Sequence, residues 1–266
     1  MTKLFSLNTA EWTFDKSMMA RMQGVGEPYT AVCPAWLIDH PEGLVLFDTG
    51  VSYEMAENPA DYGPYGAPHM EAFTGALEMT ADDTVSAQLV ELGYDPSEVD
   101  TVVLSHLHMD HAGDIASFPD AEFVVQQAEL NYAFWPADPV QRMFYLLGDF
   151  GMLRSDAFDV TVVAGGYDVF GDGTLETIPT PGHTPGHQSL KVELDSGTVI
   201  LGADVAHLME GGYHGELMAV FNWDTEASIE SLRKLKNVER RTDAEVYITH
   251  DADRFSELPE PPAALE

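Results

Sequence analysis

Three histidines and an aspartate stand within Ser105-His106-Leu107-His108-Met109-Asp110-His111, directly after the apolar run Thr101-Val102-Val103-Leu104. Side chains alternate along a strand, so His106 and His108 point to one side if the extended path continues, and can share one metal ion. The chain must then turn between Met109 and Gly113, which lets Asp110 and His111 address a second ion from another direction. Neutral imidazoles suit zinc, and a carboxylate among them suits a hydrolytic site over a sealed structural one. The chemistry this spacing predicts is two-metal hydrolysis.

Further donors repeat one order, an apolar strand and then a ligand type. His183 lies in Thr180-Pro181-Gly182-His183-Thr184-Pro185-Gly186-His187, after a strand ending at Ile178. Its two Pro-Gly pairs make a stiff loop that can fix an imidazole, with His187 read as a brace rather than a ligand. Asp204 follows Val199-Ile200-Leu201 through Gly202-Ala203, and His250 follows Val246-Tyr247-Ile248-Thr249. Any one of these alone would read as a loop cap; the repetition argues for a site.

The elements that must position these donors are legible from apolar pattern and turn residues. Val32–Ile38 and Leu44–Phe47 predict a hairpin across Asp39-His40-Pro41-Glu42-Gly43. A helix is expected from Asp82 to Leu92 with Gly93 as its C-cap, then strands at 101–104 and 122–125, and helices at 127–135 and 138–147. Strands are expected at 160–163, 167–170, 175–178, 189–194 and 198–201, then a helix at 225–237 and a strand at 245–249. Both halves run strands and then helix, which predicts an α/β chain folded as a two-sheet sandwich covered by helices on both faces.

Residues 1–256 read as a single domain with excursions at 51–81 and 132–158, and 257–266 as a solvated tail. Tyr62, Tyr65, Met70, Phe73 and Phe144 in those excursions are the expected substrate wall. An acyl chain would gain about 0.8 kcal/mol per CH₂ buried against it.

Composition narrows the partners. Of 266 residues 45% are hydrophobic, enough for a sizeable core. No apolar run approaches the ~20 residues of a membrane span, and the opening residues lack a secretory h-region, so no membrane partner and a cytoplasmic location are expected. Acidic residues number 45 against 12 basic, a formal net charge of −33. So few cations leave nucleic acid without phosphate contacts. Such a surface repels itself in dilute buffer, but in molar salt the Debye length falls to about 3 Å and the repulsion is screened. A halophilic source is therefore expected. Cys33 is the only cysteine, which excludes an intrachain disulfide and a thiolate-rich zinc site; its apolar neighbours make it a packed residue.

The run His106-x-His108-x-Asp110-His111, with His183, Asp204 and His250, resembles the metallo-β-lactamase superfamily signature in order and spacing, over Val32 to Asp251. That resemblance implies a four-layer αββα metallo-β-lactamase sandwich and two divalent metal ions, zinc before iron, manganese or cobalt. It implies His106, His108 and His183 on one ion, Asp110, His111 and His250 on the other, and Asp204 bridging both. Asp48 resembles the buried aspartate that orients the metal loop in that family. The absence of a suitable cysteine ligand departs from the best-known zinc β-lactamases.

Within the superfamily, Phe118-Pro119-Asp120-Ala121, Gln127-x-Glu129, Pro181–Ser189 and Thr249-His250-Asp251 are most similar to the N-acyl-homoserine lactonases. This implies that a bridging hydroxide opens a lactone or ester carrying an apolar tail, with Asp110 passing the proton to the leaving oxygen. Those lactonases carry a tyrosine three residues after the bridging aspartate. Here that position is His207, expected to donate to the substrate carbonyl. A glyoxalase II-like thioesterase, which would want a cationic patch, and an iron-dependent persulfide dioxygenase are the alternatives in the same fold, and a homodimer is an open expectation.

The charge makes a testable prediction. The melting temperature should rise as KCl is raised from dilute buffer to molar concentration; a protein most stable at low salt would contradict the halophilic reading.

Overall fold

The computed structural model describes residues 1–59 and 76–266, so Tyr62, Tyr65, Met70 and Phe73 of the expected wall lie outside the described residues. Its strands are β1 (Lys3–Asp15), β2 (Pro28–His40), β3 (Gly43–Phe47), β4 (Leu77–Glu78), β5 (Val99–Val103), β6 (Glu122–Gln126), β7 (Asp159–Val163), β8 (Leu175–Pro179), β9 (Gln188–Leu194), β10 (Gly197–Ala203) and β11 (Glu245–Ile248). They form a 7-stranded sheet ordered β4-β1-β2-β3-β5-β6-β7 and a 4-stranded sheet ordered β11-β10-β9-β8.

Period-two alternation sorts the apolar side chains into layers. In β3, Val45 and Phe47 point inward against the small sheet, while Leu46 points outward. In β10, Val199 and Leu201 face the large sheet and Ile200 faces away. Leu46 and Val102 meet Val85 and Leu89 of the helix Val85–Leu92 on the large sheet's outer face. On the small sheet's outer face, Ile200, Val246 and Ile248 meet Leu232 and Leu235 of the helix Thr225–Thr242. The expected αββα order is therefore found, with the middle layer of side chains between the sheets.

The structure also departs from the expectations. The long strand β1 was not anticipated; it pairs antiparallel with β2 from Lys3 opposite Asp39 to Asp15 opposite Pro28. The expected helix at 138–147 is a single turn, Gln141–Met143, followed by the short helix Leu147–Phe150. Asp138 does cap the start, accepting the backbone N–H groups of Val140 and Gln141, but only the turn through Met143 follows before the chain begins a new helix at Leu147. Residues 167–170 pair with β8 only through a single antiparallel bridge, Asp168 opposite Glu176, after which the Asp168 carboxylate gathers the N–H groups of Gly171 and Gly173 into a tight loop. The tail at 257–266 is not free in solvent along its whole length: Leu265 exchanges backbone hydrogen bonds with Leu4 at 2.9 and 3.0 Å, and Leu258 is buried. No helix among the described residues is long and apolar enough to cross a membrane.

Candidate metal centre

β3, β5, β6 and β7 run parallel, and β8 and β10 share a direction because each is antiparallel to β9, with β11 parallel to β10. The C-terminal ends in each sheet therefore leave from one edge. Asp48 follows β3, His106–His111 follow β5, His183 follows β8, Asp204 and His207 follow β10, and His250 follows β11. Ala203 and Asp48 both adopt the left-handed backbone region (φ 47° and 64°), which turns the chain sharply as it leaves a strand. Gly113 lets that loop press on its neighbour: a Cβ there would sit 2.2 Å from the Ser52 backbone nitrogen.

The structure brings all seven expected ligands to one buried space. His106, His108 and His183 offer atoms within 4.8 Å of one another, as do His106, His111 and Asp204. His183 Nε2 lies 3.0 Å from His108 Nδ1 and 3.3 Å from Asp204 Oδ2. His250 Nε2 lies 3.4 Å from both Asp110 Oδ2 and Asp204 Oδ2, and His111 Nε2 lies 3.5 Å from Asp204 Oδ1. Donors sharing a tetrahedral zinc-like ion with bonds of ~2.0–2.1 Å stand about 3.3 Å apart, so this set fits cations. His106 Nε2, His111 Nε2 and Asp204 Oδ1 are buried without a hydrogen-bond partner among the described residues, which marks the space as one built for a ligand.

The electrostatics agree. Burial holds His106 and His183 well below the ordinary imidazole range, so both are neutral with a lone pair to offer. Burial works to lower His111 and His250 too, but the Asp204 carboxylate, with Asp110 nearby, outweighs it and holds both well above that range. Burial would raise Asp204; His250, His111 and His207 facing it hold it well below the usual carboxylate range instead. Positive charge is thus drawn to the places where cations would sit.

The candidate donor rings are fixed from behind. His111 Nδ1–H donates to Asp48 Oδ2 at 2.8 Å, and Asp48 also accepts the Ser105 N–H at 2.6 Å and its hydroxyl at 2.7 Å. The Ser105 oxygen in turn lies 2.9 Å from His106 Nδ1. His250 Nδ1–H donates to the Val32 carbonyl at 2.9 Å, and His183 Nδ1–H to Asn222 Oδ1 at 3.0 Å. His187 Nε2 accepts the Asp204 N–H at 3.0 Å while its Nδ1 faces the Thr180 carbonyl at 3.1 Å, which braces the carboxylate-bearing turn. Burial pulls His187 down to about 4, which keeps it the neutral acceptor this contact requires.

Several supporting residues were not anticipated. Glu129 is fully buried and accepts four donors: Leu107 N–H at 3.0 Å, Tyr145 hydroxyl at 2.8 Å, Thr184 hydroxyl at 2.6 Å and Gly186 N–H at 3.1 Å. It ties the loop after β5 to the loop after β8. The sequence marks it only as part of the Gln127-x-Glu129 run, which gave it no role. Gln141 Oε1 lies 3.3 Å from His108 Nε2, and its amide donates to the His183 carbonyl at 3.1 Å. Cys33, read as a packed residue, is buried and shares a 4.8 Å group with Asp110 and His250; burial pushes its thiol up to about 11.

A cleft above the donors is lined by Trp12, Phe14, Met18, Met19, Phe144 and Phe221, with His108, Asp110, His183, Asp204 and His250 at its floor. Phe144, the one expected wall residue that lies within the described residues, has its ring 5.1 Å from that of His108. Trp12 and Phe14 belong to β1, where their two-residue spacing is the signal that points both to one side.

A two-sheet sandwich carrying histidine and aspartate ligands on its strand ends defines a class, the metal-dependent hydrolases of αββα architecture. The family model of the Metallo-beta-lactamase superfamily matches residues 29–250, and the chain belongs to that superfamily. It is 36% identical over 248 residues to the N-acyl homoserine lactonase AttM of Azorhizobium caulinodans, covering 90% of this chain and 89% of that one. It is also 38% identical to AttM of Rhizobium radiobacter over 250 residues, with the same coverage. Among solved structures, an N-acyl homoserine lactone hydrolase with N-hexanoyl-L-homoserine bound at its catalytic metal center shares the fold at a TM-score of 0.83, with 23% identity over 99% of this chain and 98% of that one.

Glu129→Gln tests the tie between the loops. The amide would turn N–H groups against buried donors, so thermal stability should fall by about 1–3 kcal/mol. Metal affinity should fall about 10–100-fold with it. Unchanged melting and unchanged metal content by elemental analysis would remove Glu129 from the support of the site.

Proposed function

We propose that this chain is a dinuclear metal hydrolase that opens the ring of N-acyl homoserine lactones. The observation that carries the reading is a set of buried imidazole and carboxylate donors at the floor of an aromatic, methionine-rich cleft. The AttM relatives support the substrate class.

His106, His108 and His183 would hold one ion and Asp110, His111 and His250 the other, with Asp204 shared; zinc is our reading for a donor set of imidazole and carboxylate. When bound, such ions supply Lewis acidity and bring the pKa of water toward neutrality. The chain's own residues do the rest. Asp110, half-buried on the cleft floor, takes the proton of the attacking water and hands it to the ring oxygen as the ring opens. Trp12, Phe14, Phe144 and Phe221 bury the acyl tail and keep bulk water from the reacting carbon. The cleft lining carries no lysine or arginine among the described residues, which favours an uncharged acyl tail over a glutathione thioester. The strongly acidic surface fits work in concentrated salt.

Ring opening of N-hexanoyl homoserine lactone releases a proton and can be followed by pH-stat in molar KCl. Turnover should vanish on chelation and return with zinc. Asp110→Asn should keep its metal and lose roughly 10²–10⁴-fold in turnover. No ring opening by fully loaded protein would defeat the lactonase reading, and loss of metal in the Asn variant would reduce Asp110 to a ligand.

A further inference from the structure

The sequence suggests His207 as a donor to the substrate carbonyl, but the residue is 1% exposed and does not line the cleft that His183, Asp204 and His250 reach. Phe221 stands beside it, ring centroids 5.1 Å apart, and Phe221 is the residue that faces the cleft. His207 Nε2 is buried and has no hydrogen-bond partner among the described residues. Yet it lies 3.2 Å from Asp204 Oδ2, the oxygen that also has His183 Nε2 at 3.3 Å and His250 Nε2 at 3.4 Å. The short distance without a hydrogen bond means that the N–H direction does not point at that oxygen. Three imidazole nitrogens thus stand around one carboxylate oxygen at the spacing of donors that share a cation.

We propose that His207 is a metal ligand: its Nε2 joins His183 and Asp204 on the ion that His106 and His108 also hold. His183, Asp204 and His207 offer atoms within 4.8 Å of one another. The ring is held for the task. It stacks on His250 at 5.4 Å and 10° and meets His183 at 5.0 Å, and two residues on the Met209 N–H donates to Asp251 Oδ2 at 2.7 Å. An orphaned nitrogen on an anchored ring costs stability unless something binds it, and a cation here does so. With the ion bound, the added nitrogen would give it one more protein donor and leave less room for water or substrate. This rests on the two-metal reading above but not on the identity of the lactone.

The test needs no substrate. The metal-free full chain is titrated with Co²⁺ against a chromophoric chelator, for the wild type, His207→Phe and His207→Gln, each checked for folding by circular dichroism in EDTA. The expected result is at least a tenfold loss of affinity for one of the ions in both variants, with a stronger visible band as that ion loses a donor. Cobalt-loaded wild type should also show a paramagnetically shifted imidazole N–H signal beyond those of His106, His108, His111, His183 and His250, a readout that does not depend on a variant folding. Unchanged affinity and spectra in the variants, or no extra signal in the wild type, would overturn the proposal while leaving the two-metal site standing. Wild type that binds no Co²⁺ would overturn both. Intact metal binding with a raised KM for lactone in His207→Phe would return the residue to substrate recognition and also overturn it.

Discussion

A carboxylate taken out of water costs several kcal/mol unless opposite charge or donors face it, and Asp204 is 2% exposed at the centre of the cluster of imidazoles. Five imidazoles stand within 4.0 Å of its oxygens: those of His106, His111, His183, His207 and His250. They arrive from loops that follow β5, β8, β10 and β11, so elements of both sheets must end in register around this one group. Parallel strand direction is what makes that possible, because it delivers successive loops to one edge. The two apolar faces between the sheets then fix how far apart those edges stand.

A cluster of this kind is costly when only partly satisfied, and the fold meets that cost with a second set of contacts that belong to no strand. Asp48 gathers the start of the histidine loop, Glu129 joins that loop to the one after β8, and His187 holds the backbone that bears Asp204. Each is buried, and each links segments far apart in sequence. Rigidity at the donors therefore comes from side-chain contacts between loops as much as from the sheets. The tight approach of Gly186 to Glu129, where a Cβ would sit 2.1 Å from the Glu129 backbone nitrogen, shows how closely those segments are pressed together.

What the amino-acid order revealed follows from range. The donors at 106–111 are neighbours in the chain, and His183, Asp204 and His250 each follow a run of β-branched and apolar residues, so local pattern reached them all. The roles of Glu129, though it stood in a recognised run, and of Gln141 escaped because they lie in partners more than twenty residues away, such as Thr184, Gly186 and His183. The cleft wall escaped in part for the same reason: Trp12 and Phe14 stand on β1, whose pairing with β2 no local signal announces. The helix expected at 138–147 begins where its sequence says, with Asp138 capping the N–H groups of Val140 and Gln141, but it lasts one turn and a second short helix starts at Leu147.

His207 marks the limit of reading by resemblance. A residue that differs from its family's usual type invites the assumption that the new side chain performs the old task, here a hydrogen bond to substrate. Imidazole and phenol differ where it matters in this setting: a neutral imidazole has a strong lone pair for a cation, whereas the phenol must first give up its proton. Beside a buried carboxylate and the rings of His183 and His250, that lone pair lies where our proposal places a cation. The same donor set that defines the superfamily can thus be extended from within, with the change confined to a side chain that never reaches the cleft.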